Sequence, residues 1–263
     1  MAFAAALRRH WPEYLIEAFL LGAFMVSALG FTALLEHPAS PVRAALTDPL
    51  LRRALMGCAM GVTAIALVYS PFGQRSGAHL NPAFTLAFLR LGKIEPADAV
   101  GYVLAQFAGA VLGVLATAAL LGSWLSAPAV NYAVTQPGKA GLLVAFAAEA
   151  AISFVTLLTV LVASNRPASA PWTPLFVGAL VAAWITFEAP LSGMSMNPAR
   201  SFGSAAGASA FSSLWLYFTA PPLGMLLAAE AFARARGPAA VRCAKLHHAN
   251  AQRCIFRCGY HAA

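Results

Sequence analysis

Two stretches of this chain carry the same unusual signal. Ser76-Gly77-Ala78-His79-Leu80-Asn81-Pro82-Ala83 is echoed by Gly193-Met194-Ser195-Met196-Asn197-Pro198-Ala199-Arg200-Ser201. In each, a Gly-containing loop meets Asn-Pro-Ala and a short apolar segment follows. Asn is a favoured N-cap and Pro is preorganised for the first helical position, so each copy reads as loop, cap and helix start. Both helices are short, the first ending near Leu91-Gly92 and the second loosening by Gly203–Gly207. About ten residues rising 1.5 Å each reach only halfway across a bilayer core. Alone, either copy is an ordinary capped loop. Set among long apolar spans, the two become a pair of half-helices.

The spans are there. Hydrophobic residues make up 60% of the 263 and charged ones only 10%, against about 25% charged in a soluble domain. The mean hydropathy is +0.72. The pattern predicts an all-α integral membrane protein with spans near Tyr14–Leu35, Ala54–Tyr69, Ala97–Leu121, Gly141–Ala163, Leu175–Ala189 and Leu214–Phe232. Span 1, about 33 Å long as a helix, is too long for a signal-peptide core and reads as retained. Gly57, Ala59, Gly61 and Ala64, and the Gly109-x-x-x-Gly113 spacing, mark close helix contacts. Each half has the order span, span, half-helix, span, the repeats covering 14–121 and 141–232. Three crossings per half require opposite insertion, hence an inverted repeat with its site at the midplane. Gln106 follows Asn81 at about the distance at which Pro221-Pro222 follows Asn197.

The net charge of +8 raises nucleic acid as a partner, but no aromatic-interleaved basic face exists, and the basic residues sit at span ends and in the tail. Anionic lipid headgroups fit better. Counting positive charges puts both termini in the cytoplasm, with Arg8, Arg9, Arg75, Arg90, Lys93, Arg166 and the tail inside, and Arg43, Arg52, Arg53 and Lys139 outside. The expected location is a bacterial cytoplasmic membrane. No His, carboxylates or nucleophile with a base converge in the spans, which excludes an enzyme. A non-conducting scaffold or a metal-sensing membrane protein stays open as a different class.

With these residues in view, the chain resembles the aquaporin (major intrinsic protein) family from about Tyr14 to Phe232. The resemblance rests on Ser-Gly-Ala-His-Leu-Asn-Pro-Ala at 76–83, Asn-Pro-Ala-Arg-Ser at 197–201 and a Glu in the first span of each half. It implies a homotetrameric channel that passes water, with small uncharged solutes as a further cargo, and excludes protons and ions. A glycerol-type facilitator is the alternative within the class. The pore motifs are Asn81, Pro82, Ala83, Asn197, Pro198 and Ala199. Carbonyls of Gly77, Ala78 and His79, and of Gly193, Met194 and Ser195, would form the acceptor row, with His79 either lining the pore or held in its loop. Glu17 and Glu149, ionisable groups within spans, are expected to accept backbone N–H bonds from the two loops rather than relay protons. Arg200 takes the selectivity-filter position, with Met60, Ile185 and Met194 completing the filter. Ile185 stands where water-specific members have His, and Ser201 where glycerol channels have Asp.

Residues 1–232 are thus expected to form the channel domain, and 233–263 a basic cytoplasmic tail dispensable for flux. No cofactor is required by the channel. The tail contains Cys243-x-x-x-His247-His248 and Cys254-x-x-x-Cys258, with His261 beyond. In a helix each i,i+4 pair shares a face, and Cys243, His247, Cys254 and Cys258 would suffice for a tetrahedral Zn²⁺ site. The other reading is a basic, reduced tail lying on the inner leaflet.

Overall fold

The computed structural model describes residues 2–260 and is all-helical; His261 lies outside them. Among the described residues six helical spans are long and apolar enough to cross a membrane: α1 (Ala2–Glu36), α3 (Pro49–Tyr69), α6 (Pro96–Leu121), α8 (Leu142–Ser164), α9 (Thr173–Phe187) together with the 3₁₀ turn that precedes it from Ala170, and α12 (Leu214–Arg236). The short helices among the described residues are α2 (Pro41–Ala45), α4 (Pro71–Ser76), α5 (Pro82–Arg90), α7 (Ser123–Ser126), α10 (Ala189–Ser192) and α11 (Pro198–Ala208). Two spans begin earlier than their apolar runs. For α3 the reason is the Asp48 cap, whose carboxylate accepts the Leu50 N–H at 2.8 Å with Pro49 at the first helical position.

The spans pack as α1 with α6, α3 with α9 and α8 with α12. Small residues set those distances. A Cβ on Gly109 would lie 2.1 Å from the Ala18 carbonyl oxygen, so α1 and α6 touch backbone to backbone there. Gly57 and Gly61 meet α9 at Ala182 and Gly178 in the same way. The half-helices cross over: α5 packs on α12, the third span of the other half, and α11 packs on α6. This exchange makes the two halves one body. Large apolar side chains such as Leu15, Phe19, Val62, Leu104, Leu112, Leu120 and Leu143 face outward on the flank, where lipid would cover them.

The tail departs from expectation. After Arg236 no α-helix follows among the described residues, only a 3₁₀ turn at Pro238–Ala240 and irregular chain. The tail folds back over the end of the bundle that carries both termini. The Arg242 N–H donates to Asn165 Oδ1 at 2.7 Å, Tyr260 Oη to the Ser164 carbonyl at 2.8 Å, and the Arg257 N–H to the Lys93 carbonyl at 3.1 Å. Arg257 pairs with Glu95 at 2.6 Å. Leu246 and Phe256 are buried beneath this knot, each burial worth about 1.5–3 kcal/mol.

Candidate functional site

Each half-helix is capped as its sequence dictates. Asn81 Oδ1 accepts the Ala83 N–H at 2.8 Å, and Asn197 Oδ1 accepts those of Ala199 and Arg200 at 3.1 and 3.2 Å. The Asn side-chain amides then tie the halves together. Asn81 Nδ2 donates to the Met196 carbonyl at 2.6 Å, and Asn197 Nδ2 to the Leu80 carbonyl at 2.7 Å. One N–H of each amide is spent on this exchange. Both residues also line the central cavity, where the second N–H of each has no further bond among the described residues.

The loops leading to these caps are strained alike. Gly77 and Gly193 adopt φ of +94° and +84°, and each is followed by non-glycine residues in the left-handed region: Ala78 and Leu80, then Met194 and Met196. Such conformations cost of order 1 kcal/mol each. The buried glutamates offset that cost. Glu17 accepts from Ser76 Oγ (2.7 Å), the His79 N–H (3.1 Å) and the Leu80 N–H (2.7 Å). Glu149 accepts from Ser192 Oγ (2.8 Å), the Ser195 N–H (2.6 Å) and the Met196 N–H (2.8 Å). Two residues not singled out by sequence complete the symmetry. Tyr102 Oη donates to the Ser76 carbonyl and Tyr217 Oη to the Ser192 carbonyl. Their only sequence signal is a similar distance after the two Asn. Gln106 adds a fourth donor to Glu17 at 2.9 Å, for which Pro221-Pro222 offers no counterpart.

The cavity has a volume of about 380 Å³. Met60, Ile185, Met194 and Arg200 all line it, as do Ala78, His79, Gly193 and Ser195. Arg200 is the informative one. Its Nη1 is buried without a protein partner among the described residues. Met60 is held by the Ser27 hydroxyl, which donates to Sδ at 3.7 Å. Met56, one turn away on α3, also lines the cavity and was not foreseen. Because Gly57 packs against Ala182 and Thr186, Met56 lies nearer the level of Ile185 than Met60 does.

The end of the cavity toward the tail is different. Leu246 forms part of its wall. Gly77, expected to offer its carbonyl to solute, instead accepts the Leu246 N–H at 3.1 Å. His79 lines the cavity but is fully engaged. Its Nδ1 pairs with Thr85 Oγ1 at 3.0 Å, its Nε2 with the Ala244 carbonyl at 2.9 Å, and its ring stacks between Phe88 and Phe256.

The tail brings four potential metal ligands together, and they correct the expected set. Cys243, Cys254 and Cys258 converge with His248, not His247, all four ligand atoms lying within 4.8 Å of one another. The physical reason is the missing helix. Without i,i+4 geometry, His247 turns inward against Tyr69, and the next residue faces the cysteines. Cys243 and Cys254 share a hydrogen bond at 3.5 Å. That bond holds the Cys254 thiol well below its ordinary range and Cys243 well above it. The donor set suits a metal ion.

Six spans and two half-helices meeting at a lined cavity give the architecture of a transmembrane channel. Comparison with known proteins specifies the class. The model of the family described as "Major intrinsic protein" matches residues 5–232. The chain is 38% identical over 220 residues to a glycerol uptake facilitator protein-like 6 of Lactiplantibacillus plantarum, covering 82% of this chain and 94% of the relative. It is 33% identical over 221 residues to aquaporin NIP1-2 of Oryza sativa subsp. japonica, covering 83% and 70%. Among solved structures, the aquaglyceroporin from Plasmodium falciparum superposes with a TM-score of 0.70 over 88% of this chain and 98% of its own, at 21% identity, which speaks to the fold. The chain belongs to the major intrinsic protein family. It is a non-enzymatic membrane channel.

Proposed function

We propose that this channel passes water together with small uncharged, carbon-bearing solutes, and excludes protons and ions. The observation that carries the reading is Arg200. A buried guanidinium nitrogen without a protein acceptor is costly unless a permeant supplies one. Around it stand Met60, Ile185 and Met194, with Met56 close by, so the filter offers a polar donor on one side and hydrocarbon on the other. A molecule with a hydroxyl and a carbon backbone matches both walls. Water satisfies only the donor. The second amide N–H of Asn81 and of Asn197 would receive the permeant's oxygen at the centre, and loop carbonyls from Ala78 and His79 and from Gly193 to Ser195 would accept its hydrogens. The 38% identity to a glycerol uptake facilitator protein-like relative supports the solute class.

Residues 1–232 are the channel unit and 233–263 an appended tail. The charge count supports placing both termini in the cytoplasm, membership of the family supports assembly as a homotetramer, and the bacterial relative supports a bacterial cytoplasmic membrane. The test is paired osmotic shrinkage and glycerol uptake in proteoliposomes. Both fluxes should exceed those of empty vesicles when Leu246→Ala/Phe256→Ala removes the tail side chains packed at the cavity's end. Water flux without glycerol flux would reject the carbon-bearing solute reading.

A further inference from the structure

We propose that Cys243, His248, Cys254 and Cys258 bind one zinc ion, and that the resulting knot holds Leu246 and Phe256 over the pore mouth as a plug released when the metal is withdrawn. The plug half of this inference rests on the cavity being the conduction path; the zinc half does not.

The metal comes first. Three thiolates and one imidazole form the donor set of a closed, four-coordinate zinc site. With Zn–S bonds near 2.3 Å, tetrahedral geometry separates the sulfurs by about 3.8 Å. The Cys243 and Cys254 sulfurs lie 3.5 Å apart, and Cys258 Sγ lies 3.0 Å from His248 Nε2, so only small shifts admit the ion. No carboxylate enters the cluster, which argues against magnesium, calcium or manganese. Three thiols release their protons on binding, leaving one net negative charge on the metal and its ligands. Lys245, buried with Nζ bonded to the Gln252 and Arg253 carbonyls, stands beside the cluster to balance it. His248 is oriented by stacking on Tyr260 at 4.3 Å, whose hydroxyl reaches the Ser164 carbonyl at the end of α8. A chain of this length without helix or strand needs such a staple.

The plug follows from where the knot sits. Between its first and second ligands runs Ala244-Lys245-Leu246-His247; between its third and fourth runs Ile255-Phe256-Arg257. The Leu246 N–H occupies the Gly77 carbonyl and the Ala244 carbonyl occupies His79 Nε2. Phe256 covers the same loop so closely that a Cβ on Gly77 would lie 2.7 Å from its ring. The tail therefore takes the polar groups that a permeant would use at this end and puts Leu246 in the cavity wall, with Phe256 packed on His79 and the Gly77 loop to hold it there. Loss of the metal removes the four-way link between the two arms and leaves the Lys245 Nζ bonds to the Gln252 and Arg253 carbonyls and the Gly259 N–H bond to the Arg242 carbonyl, which water can replace.

The test uses the full chain purified without a polyhistidine tag. Metal analysis should find about one zinc per chain. It should fall at least about tenfold in Cys254→Ser/Cys258→Ser and in His248→Ala, but not in His247→Ala. Cobalt substitution should give the absorption of a tetrahedral thiolate site. In proteoliposomes, the permeant chelator TPEN, the cysteine double variant and Leu246→Ala/Phe256→Ala should each raise water and neutral-solute permeability severalfold, and zinc should re-close only chelated protein with intact ligands. Absence of zinc, a different resident metal, or a Cys243–Cys254 disulfide in the native protein would overturn the site, whatever the pore carries. Zinc present, with flux above empty vesicles that neither chelation nor the variants change, would overturn the plug alone. A folded Leu246→Ala/Phe256→Ala protein that passes neither water nor glycerol would overturn the channel reading and the plug together, leaving the zinc content to judge the site.

Discussion

At the scale of single residues, the proposed selectivity turns on what faces Arg200. Ile185 is hydrocarbon where an imidazole would supply a second donor and fill space. Exchange by Ile185→His should raise the ratio of water to glycerol permeability, because the ring obstructs a carbon backbone while binding water better than an alkyl group does. One lost apolar contact of methylene size alters discrimination by about 1–3 kcal/mol, so a change of roughly tenfold or more is expected at matched protein density, with both proteins carrying Leu246→Ala/Phe256→Ala so that the mouth is open. A ratio that falls would place Ile185 off the conduction path. The sequence made Arg200, Asn81 and Asn197 legible, because a motif and its spacing fix them. It could not rank Met56 against Met60. Both stand on one face of α3, one turn apart, and their relative level depends on how Gly57 docks against α9, a contact between residues distant in sequence.

At the scale of elements, the two re-entrant loops are held in left-handed conformations by glutamates that act as struts. Glu17 uses both oxygens as acceptors, Oε1 for Ser76 and His79, and Oε2 for Leu80 and Gln106. Glu17→Gln therefore is not a mild change. Its amide nitrogen would be a donor facing donors, leaving one or two buried groups unpaired at about 1–3 kcal/mol each. The melting temperature of the detergent-solubilised protein should drop for Glu17→Gln by nearly as much as for Glu17→Ala. An unchanged melting temperature in the Gln variant would mean that the loop is held by Tyr102 and Ser76 without the acid. The caps and half-helices were readable from Asn-Pro-Ala because capping is local. The tyrosine props and the tail's path were not, since each depends on a hydrogen bond across many residues of chain. Reading the tail as a helix also misassigned the fourth ligand by one residue, as a helical period would.

At the scale of the whole molecule, the exchange of half-helices between the halves brings two helix N-termini to one point. Asn81 and Asn197 each donate to the other's loop, so the two ends cannot separate without breaking both bonds. Each end carries about half a positive charge. At ~4 Å and an effective dielectric constant of ~20, a unit cation meets about 2 kcal/mol of repulsion from each. Together they would exclude a cation by roughly a thousandfold, at 1.4 kcal/mol per factor of ten, before the full charge of Arg200 is added. Protons face the same barrier, and a water whose oxygen is bound by both amides has its hydrogens turned outward, which breaks a donor chain through the centre. The protein should therefore show no proton flux above that of empty vesicles under an imposed potassium potential. A closed mouth would give the same silence for a trivial reason. The measurement belongs on Leu246→Ala/Phe256→Ala protein, with a pH-sensitive dye in vesicles whose osmotic water flux has already been shown to exceed background. Proton flux that scales with protein content there would mean that the two helix ends do not meet on the conduction path.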